Sequence, residues 1–291
     1  MNDVLVIGGG PAGVSAAVYA ARAGLTVTLV YKDGGALAKA ERVDNYYGLY
    51  STSGTDMFDK GIAQAQAVGV TMVQGEVVKL SQDEAGAVFA ADITGTAQVQ
   101  ARAVVLATGS ARAVPPIEGL AAFERKGVSY CAVCDGFFFR GKDVAVLGNG
   151  AYALSEAQEL LPLAGSVTVL TNGAEPIVDF PDPIKIVTDK IQAVTGEKTV
   201  AGVTLESGET IAAAGVFVAV GTAGGSQLAM KLGAFINDES VVTDDHGRTS
   251  IAGLWAAGDC TAGVKQIARA VQEGMAAGMD VVQFARKERQ K

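Results

Sequence analysis

Val4-Leu5-Val6-Ile7-Gly8-Gly9-Gly10-Pro11-Ala12-Gly13 is an apolar run that ends in a glycine turn. The apolar residues read as a strand buried on both faces. The turn fits G-x-G-x-x-G, with glycine at 8, 10 and 13. Val14 to Arg22 has helical character, Gly24 is its stop, and Leu25 to Val30 is a second strand. Asp33 lies 20 residues past Gly13, where a ribose-binding acid is expected. Glycine lets backbone approach a pyrophosphate, and the N-terminus of the next helix meets its charge. A lone glycine motif is weak. Strand, turn, helix, strand and acid in this order point to a dinucleotide site at Gly8, Gly10, Pro11, Ala12, Gly13 and Asp33.

The pattern then restarts. Val144 to Leu147 is apolar, and Gly148-Asn149-Gly150-Ala151-Tyr152-Ala153 repeats the turn, with Ala153 where Gly13 stands. A helical stretch runs to Leu163, and Ser166 to Leu170 is the next strand. Such a repeat implies a second nucleotide-shaped site lined by Gly148, Asn149, Gly150, Ala151 and Tyr152. The competing reading is a relic whose glycine turn persists for strand–helix packing. Tyr152 supplies either an aromatic face for a ligand or plain core packing.

The intervening segments read as connecting structure. Asn45-Tyr46-Tyr47-Gly48 is a polar, aromatic turn, and Thr55 to Val68 a helix. Val73 to Gln100 reads as a β-meander turning at Gly86 and Gly95. Val104 to Gly109 is a buried strand ending in a tight turn, and Ser110 to Gly119, with Pro115-Pro116, a linker. Residues 184–220 read as a second meander, and Thr222 to Ser226 as a return linker. Gly253 to Asp259 is a strand running into a glycine turn that presents a carboxylate, and a last helix starts near Lys265.

Chemistry concentrates at Cys131-Ala132-Val133-Cys134-Asp135. The spacing lets both sulfurs share one helical turn and close a small disulfide ring. A helix N-terminus favours thiolate, so such pairs are reactive. Asp135 is placed to supply a proton. Two other readings are half a zinc site and an inert buried pair. Zinc needs two more soft ligands, and only Cys260 and His246 remain, far along the chain. No metal is expected, His246 is given no role, and Cys260 reads as a buried filler.

The 291-residue chain suffices for two domains, and its 37 glycines exceed the usual share. A net charge of −8 argues against nucleic acid, which needs clustered Lys and Arg. Neither a signal peptide nor an 18-residue apolar run is seen, so no membrane partner is expected. A close cysteine pair in such a chain suits the cytoplasm and a catalytic use.

Together these pieces resemble the low-molecular-weight thioredoxin reductases. Cys131-Ala132-Val133-Cys134-Asp135-Gly136-Phe137-Phe138 is close to the family's Cys-Ala-Thr-Cys-Asp-Gly-Phe-Phe. The Gly8 to Gly13 turn, Ala107-Thr108-Gly109 and Gly258-Asp259 also match, in family order. The resemblance implies an α/β fold of two Rossmann-like three-layer domains, each with a small β-meander, the second inserted in the first. Residues 1–112 and 245–291 would form an FAD domain, and residues 113–244 the insertion carrying the cysteines. It implies a homodimer and a thioredoxin-like or other dithiol/disulfide protein partner. Family roles give Cys134 as the sulfur facing the flavin, Cys131 as the sulfur exchanging with the partner, and Asp135 as the acid/base. Asp259 would hold FAD near its ribityl or pyrophosphate portion, with Asn45, Gly109, Lys265 and Gln266 also at the cofactor.

The match breaks in the second unit. Family members that use NADPH place His-Arg-Arg, and a further Arg a few residues on, after the second strand. Here the segment is Thr171-Asn172-Gly173-Ala174-Glu175-Pro176, and no Arg or Lys lies between Lys142 and Lys185. A 2′-phosphate without a cationic partner is poorly held, so NADPH is not expected. Pyridine-nucleotide-independent branches of the family exist. One takes electrons from ferredoxin. Another, the diflavin-linked disulfide oxidoreductases, holds a second FAD where NADPH would sit. The retained turn at Gly148 to Gly150 favours the second FAD. The expectation is an FAD-dependent disulfide oxidoreductase, with a ferredoxin-dependent enzyme and a flavoprotein redox sensor as alternatives.

Overall fold

The structure, a computed structural model, describes residues 1–110 and 114–288. It divides into two compact units, Met1–Ala111 with Gly224–Lys291, and Arg112–Ala223.

The first unit opens with β1 (Asn2–Ile7), α1 (Pro11–Arg22), β2 (Val27–Tyr31), a short α2 (Gly35–Ala38) and α3 (Gly54–Ala67). Strands β3 (Thr71–Gln74), β4 (Val77–Gln82), β5 (Phe89–Ile93) and β6 (Val99–Leu106) follow. In the second unit, β7 (Val128–Ser129) leads into α4 (Ala132–Asp135) and one 3-10 turn, then β8 (Asp143–Leu147), α5 (Ala151–Leu160) and β9 (Ser166–Leu170). It is completed by β10 (Lys185–Val187), β11 (Ile191–Gly196), β12 (Val200–Leu205), β13 (Thr210–Ala212) and β14 (Gly215–Val218). The chain returns to the first unit through α6 (Gly225–Lys231), β15 (Ile236–Asn237), β16 (Ser240–Val241), β17 (Leu254–Ala256) and α7 (Ile267–Glu288).

In the first unit one sheet runs β3-β2-β1-β6-β5-β4, with β17 paired to β6. The β3-β2-β1-β6 portion and β17 are parallel, and β4-β5-β6 is an antiparallel meander. Val4, Leu5 and Val6 are fully buried, as continuous apolar strands covered on both faces should be. The second unit repeats this plan with a parallel sheet, β10-β9-β8-β14-β7, and a separate three-stranded meander, β11-β12-β13. The two-unit α/β architecture expected from the glycine repeat is therefore present.

Three expected boundaries move. β3 belongs to the parallel sheet beside β2 rather than to the meander. Helix α7 starts at Ile267, past Lys265. Residues 224–244, assigned to the insertion by resemblance, pack with the terminal segments. Gly225 N–H donates to Thr108 Oγ1 at 2.7 Å, and Val241 N–H to the Cys260 carbonyl at 2.9 Å. The turn at Gly224-Gly225, read as a linker, is where the chain returns.

Two features tie the chain's ends together. A Cβ on Gly274 of α7 would stand 2.1 Å from the Ala12 carbonyl oxygen, and one on Gly278 2.7 Å from that of Ala16. Helices α1 and α7 thus meet backbone to backbone. Behind them, Asp280 accepts from Arg248 Nε and Nη2 at 2.6 Å each and from Trp255 Nε1 at 3.0 Å. Burial pulls the Asp280 carboxyl upward, but hydrogen bonds from Arg248 and Trp255 outweigh it and hold the group below the usual carboxylate range.

Two outcomes follow from this packing. Gly274→Ala gains up to about 1 kcal/mol of helix propensity but forces overpacking that costs roughly 1–3 kcal/mol. A lower urea midpoint is expected, and an unchanged midpoint would contradict the close contact. The second concerns Cys260, whose thiol donates to the Leu106 and Ala257 carbonyls at 3.4 and 3.3 Å. Burial pushes it from 9.0 up to about 12. Its contribution is complete below pH 9.0 and is lost as pH rises toward 12. Cys260→Ala should flatten the alkaline fall in stability, measured as urea midpoint against pH; an identical fall would contradict it.

Candidate functional site

The first glycine turn divides its labour among three positions. Gly8 has φ +117°, and a Cβ there would meet the Ala107 carbonyl oxygen at 2.1 Å. A Cβ on Gly13 would meet the Gly8 carbonyl oxygen at 1.9 Å. These two glycines let the ends of β1 and β6 and the start of α1 close on one another. Gly10 differs: a Cβ there would meet nothing within 4 Å. Pro11 opens α1, and no side chain caps that helix. Open space therefore adjoins uncapped N–H groups, which suits a pyrophosphate.

The other predicted residues of this unit stand around the same sheet end. Asp33 follows β2 and accepts the Gly35 N–H at 2.8 Å in a tight turn. Gly109 and Gly258 both have φ +80°. Asp259 lies 3.5 Å from Ser110 Oγ, and Asn45 Nδ2 donates to Gln266 Oε1 at 3.0 Å. Lys265 is exposed beside Gln266. The donor set fits the FAD that the resemblance implies. Sequence reasoning missed the group that fixes the Gly258-Asp259 turn: Glu273 Oε2 accepts the Gly258 N–H at 2.7 Å and the Thr261 hydroxyl at 3.1 Å. Arg269 pairs with Glu273 at 2.6 Å.

In the second unit, Cys131 and Cys134 form a disulfide with Cα atoms 5.3 Å apart. That sets aside a zinc ligand role for the pair. Cys131 is the N-cap of α4, and its Sγ accepts the Cys134 N–H at 3.2 Å. Cys131 is 2% exposed, while Cys134 is open to solvent. Asp135 Oδ2 accepts from Ser129 Oγ at 2.6 Å, and the same hydroxyl oxygen accepts the Cys131 N–H at 3.1 Å. Ser129 thus joins the predicted acid to the backbone of Cys131.

Glu156, a second unanticipated residue, is 1% exposed, and its Oε2 accepts the Ala132 N–H at 2.7 Å. One signal for it was available: Glu156 falls on the face of α5 that buries Tyr152, Ala153, Ala157 and Leu160. A carboxyl on that face needs a donor. Ser129 gave no comparable signal.

The second glycine turn repeats the packing of the first but not its open space. Gly148 has φ +153°, and a Cβ there would meet the Ala219 carbonyl oxygen at 2.3 Å. A Cβ on Gly150 would lie 3.1 Å from Ile177 Cδ1. Asn149 Nδ2 donates to the Glu175 carbonyl at 2.9 Å, and Ile177 N–H to the Asn149 carbonyl at 2.9 Å. Tyr152 is fully buried, and its hydroxyl lies 3.4 Å from the Tyr130 carbonyl. Its ring packs in the core, a correction to its place among ligand-binding residues. Beside Gly150 a Cβ would thus meet hydrocarbon, where beside Gly10 it would meet open space. Lys190 also lies here, its stem against Gly173, where a Cβ would meet Lys190 Cγ at 2.6 Å. It is a cation that the gap between Lys142 and Lys185 did not register.

Among the described residues, no group of three or more His, Cys, Asp or Glu is arranged to hold a metal ion. No helix among them is long and apolar enough to cross a membrane.

Comparisons with known proteins agree with this geometry. The family model for pyridine nucleotide-disulphide oxidoreductases matches residues 2–274. Thioredoxin reductase of Listeria monocytogenes is 32% identical over 302 residues, covering 97% of this chain and 93% of the relative. The crystal structure of the atypical thioredoxin reductase TRi from Desulfovibrio vulgaris Hildenborough superposes with a TM-score of 0.92 at 35% identity, covering 99% of each chain. A ferredoxin-flavin thioredoxin reductase from Clostridium acetobutylicum gives a TM-score of 0.72 at 28% identity over 98% of each chain. The chain belongs to the pyridine nucleotide-disulphide oxidoreductase family, as a flavin disulfide oxidoreductase with thioredoxin reductase-like sequence and fold.

Proposed function

We propose that this protein exchanges an electron pair between FAD, held at the Gly8 to Gly13 turn, and the Cys131–Cys134 disulfide, and then with a thioredoxin-like partner. The observation that carries the reading is the disulfide itself, its acid Asp135 tied back to Cys131 through Ser129. FAD would supply a two-electron redox centre. Gly10 leaves room for its pyrophosphate, and in this reading Asp33 would take its ribose and Asp259 its ribityl or pyrophosphate portion. On the protein side, the S–S bond takes up two electrons and breaks, leaving a thiolate and a thiol. Asp135 passes the proton, and Ser129 holds the carboxyl in place for that transfer.

Exchange with the partner then balances by thiol chemistry. The Cys131 sulfur attacks a partner disulfide and forms a mixed bond. The Cys134 sulfur displaces it, the 131–134 bond reforms, and the partner leaves with two reduced sulfurs. Cys131 is 2% exposed, so the mixed disulfide requires its cover to open. The proposal includes the homodimer implied by the resemblance.

We further propose that NADPH is not the donor. The described cation beside the second strand end is Lys190, a single ammonium on a flexible stem. A 2′-phosphate is better held by paired guanidinium forks. The ferredoxin alternative is favoured by the fold similarity to the Clostridium acetobutylicum ferredoxin-flavin enzyme. The chain's net charge of −8 counts against an acidic donor unless a basic patch receives it.

Cys134→Ser is expected to retain FAD and lose electron exchange between flavin and dithiol. A variant that still reduced or oxidised a dithiol protein at the wild-type rate would refute the assignment. In anaerobic stopped flow, NADPH is expected to leave the flavin absorbance unchanged over seconds. Bleaching at a turnover-competent rate would show that NADPH is the donor.

A further inference from the structure

Two glycine turns of the same design, in one chain, differ in what covers them. Beside Gly10 there is open space to 4 Å. Beside Gly150, Ile177 Cδ1 and Cγ1 lie 3.1 and 3.5 Å from the position a Cβ would take. A pyrophosphate reaches such a turn along that same approach, because the missing side chain is what admits it. Ile177 occupies the approach with a hydrocarbon side chain, which offers a phosphate neither charge nor donor.

The segment is also fastened. Its middle is held by the Asn149 side chain on the Glu175 carbonyl, and its end by the Ile177 N–H on the Asn149 carbonyl, both at 2.9 Å. Its root is held by Thr171 Oγ1 on the Ala174 carbonyl and by the Gly173 N–H on the Thr188 carbonyl at 2.8 Å. Asn149 sits inside the turn, at the place of Gly9 in the first unit, so the turn supplies the clasp for its own cover.

We propose that residues 174–177 are a strap that closes the second glycine turn in cis, so that the chain holds one dinucleotide and not two. The second unit then serves the cysteines. Helix α5, which starts at this turn, carries the Glu156 that accepts the Ala132 N–H at the head of the disulfide turn. A nucleotide-type strand–turn–helix has become a mount for a redox pair. This inference rests on the functional reading in one respect only, that the first turn holds FAD. It excludes the second FAD, and NADH as well as NADPH, as occupants of the second turn, and requires that the electron donor act elsewhere.

The test uses purified holoenzyme saturated with FAD, and the exposed strap residue in Ile177→Gly. Flavin released on denaturation is counted per chain, and ADP and NADH binding are followed by calorimetry. The wild type is expected to release one FAD per chain and to bind neither probe more tightly than about 1 mM, the weak end of ordinary substrate affinities. Ile177→Gly is expected to bind ADP at least about tenfold more tightly than the wild type. Two FAD per wild-type chain, or saturable sub-millimolar binding of either probe, would overturn the strap. So would a variant with unchanged ADP affinity. A wild type that holds FAD but exchanges no electrons with its dithiol would sink the functional reading while leaving these binding results intact.

Discussion

Backbone contact without side chains is the constraint on which this molecule depends. The Gly8 carbonyl oxygen stands 1.9 Å from where a Gly13 Cβ would be, and the Ala12 carbonyl oxygen 2.1 Å from where a Gly274 Cβ would be. No flexible side chain can yield at such points, because the obstacle is main chain. The turn therefore closes onto α1, α1 onto α7, and the terminal segments of a chain interrupted by an insertion meet in one unit. Gly10, between these contacts, is left free to face a ligand. The proposed cofactor site is thus a by-product of the packing that joins the chain's ends.

The same device, reused in the second unit, supports different chemistry. Gly148 again lets strand ends close, with a carbonyl oxygen 2.3 Å from the missing Cβ. The helix that follows presents Glu156 to the disulfide turn. A buried carboxyl is costly unless it accepts hydrogen bonds, and the Ala132 N–H is such a donor. Around the sulfurs, Ser129 meets both the Asp135 carboxyl and the Cys131 N–H. The pair is held by short polar contacts within a few residues of sequence and by long-range contacts from Glu156 and Tyr152 of α5.

Much of this was legible in the sequence. Both glycine turns, their strands and helices, and the disulfide lie where the motifs place them, because each rests on a local rule of spacing or period. What stayed hidden depends on partners distant in sequence. Thr71 to Gln74 has no burial pattern that separates a parallel strand from a meander strand, and only its pairing with β2 decides. The resemblance alone assigns residues 224–244 to the insertion, while their attachment is made through Thr108 and Cys260. Tyr152 looked like a ligand face because it follows a glycine turn, yet the helix turns it into the core. Ile177 lies 27 residues past Gly150, and no local pattern announces that it covers that glycine. The basic residue beside Gly173 was missed for the same reason: Lys190 arrives from the far side of β10.

The central claim is that an electron pair passes between FAD and the Cys131–Cys134 bond. The most direct measurement is light-driven reduction of the flavin in anaerobic holoenzyme, without any thiol reagent, followed by alkylation and mass analysis of each cysteine. The account predicts that flavin bleaching is accompanied by alkylation of Cys131 and Cys134 together, with Cys260 protected by its burial. A flavin that stays fully bleached while the Cys131–Cys134 disulfide remains intact would contradict it.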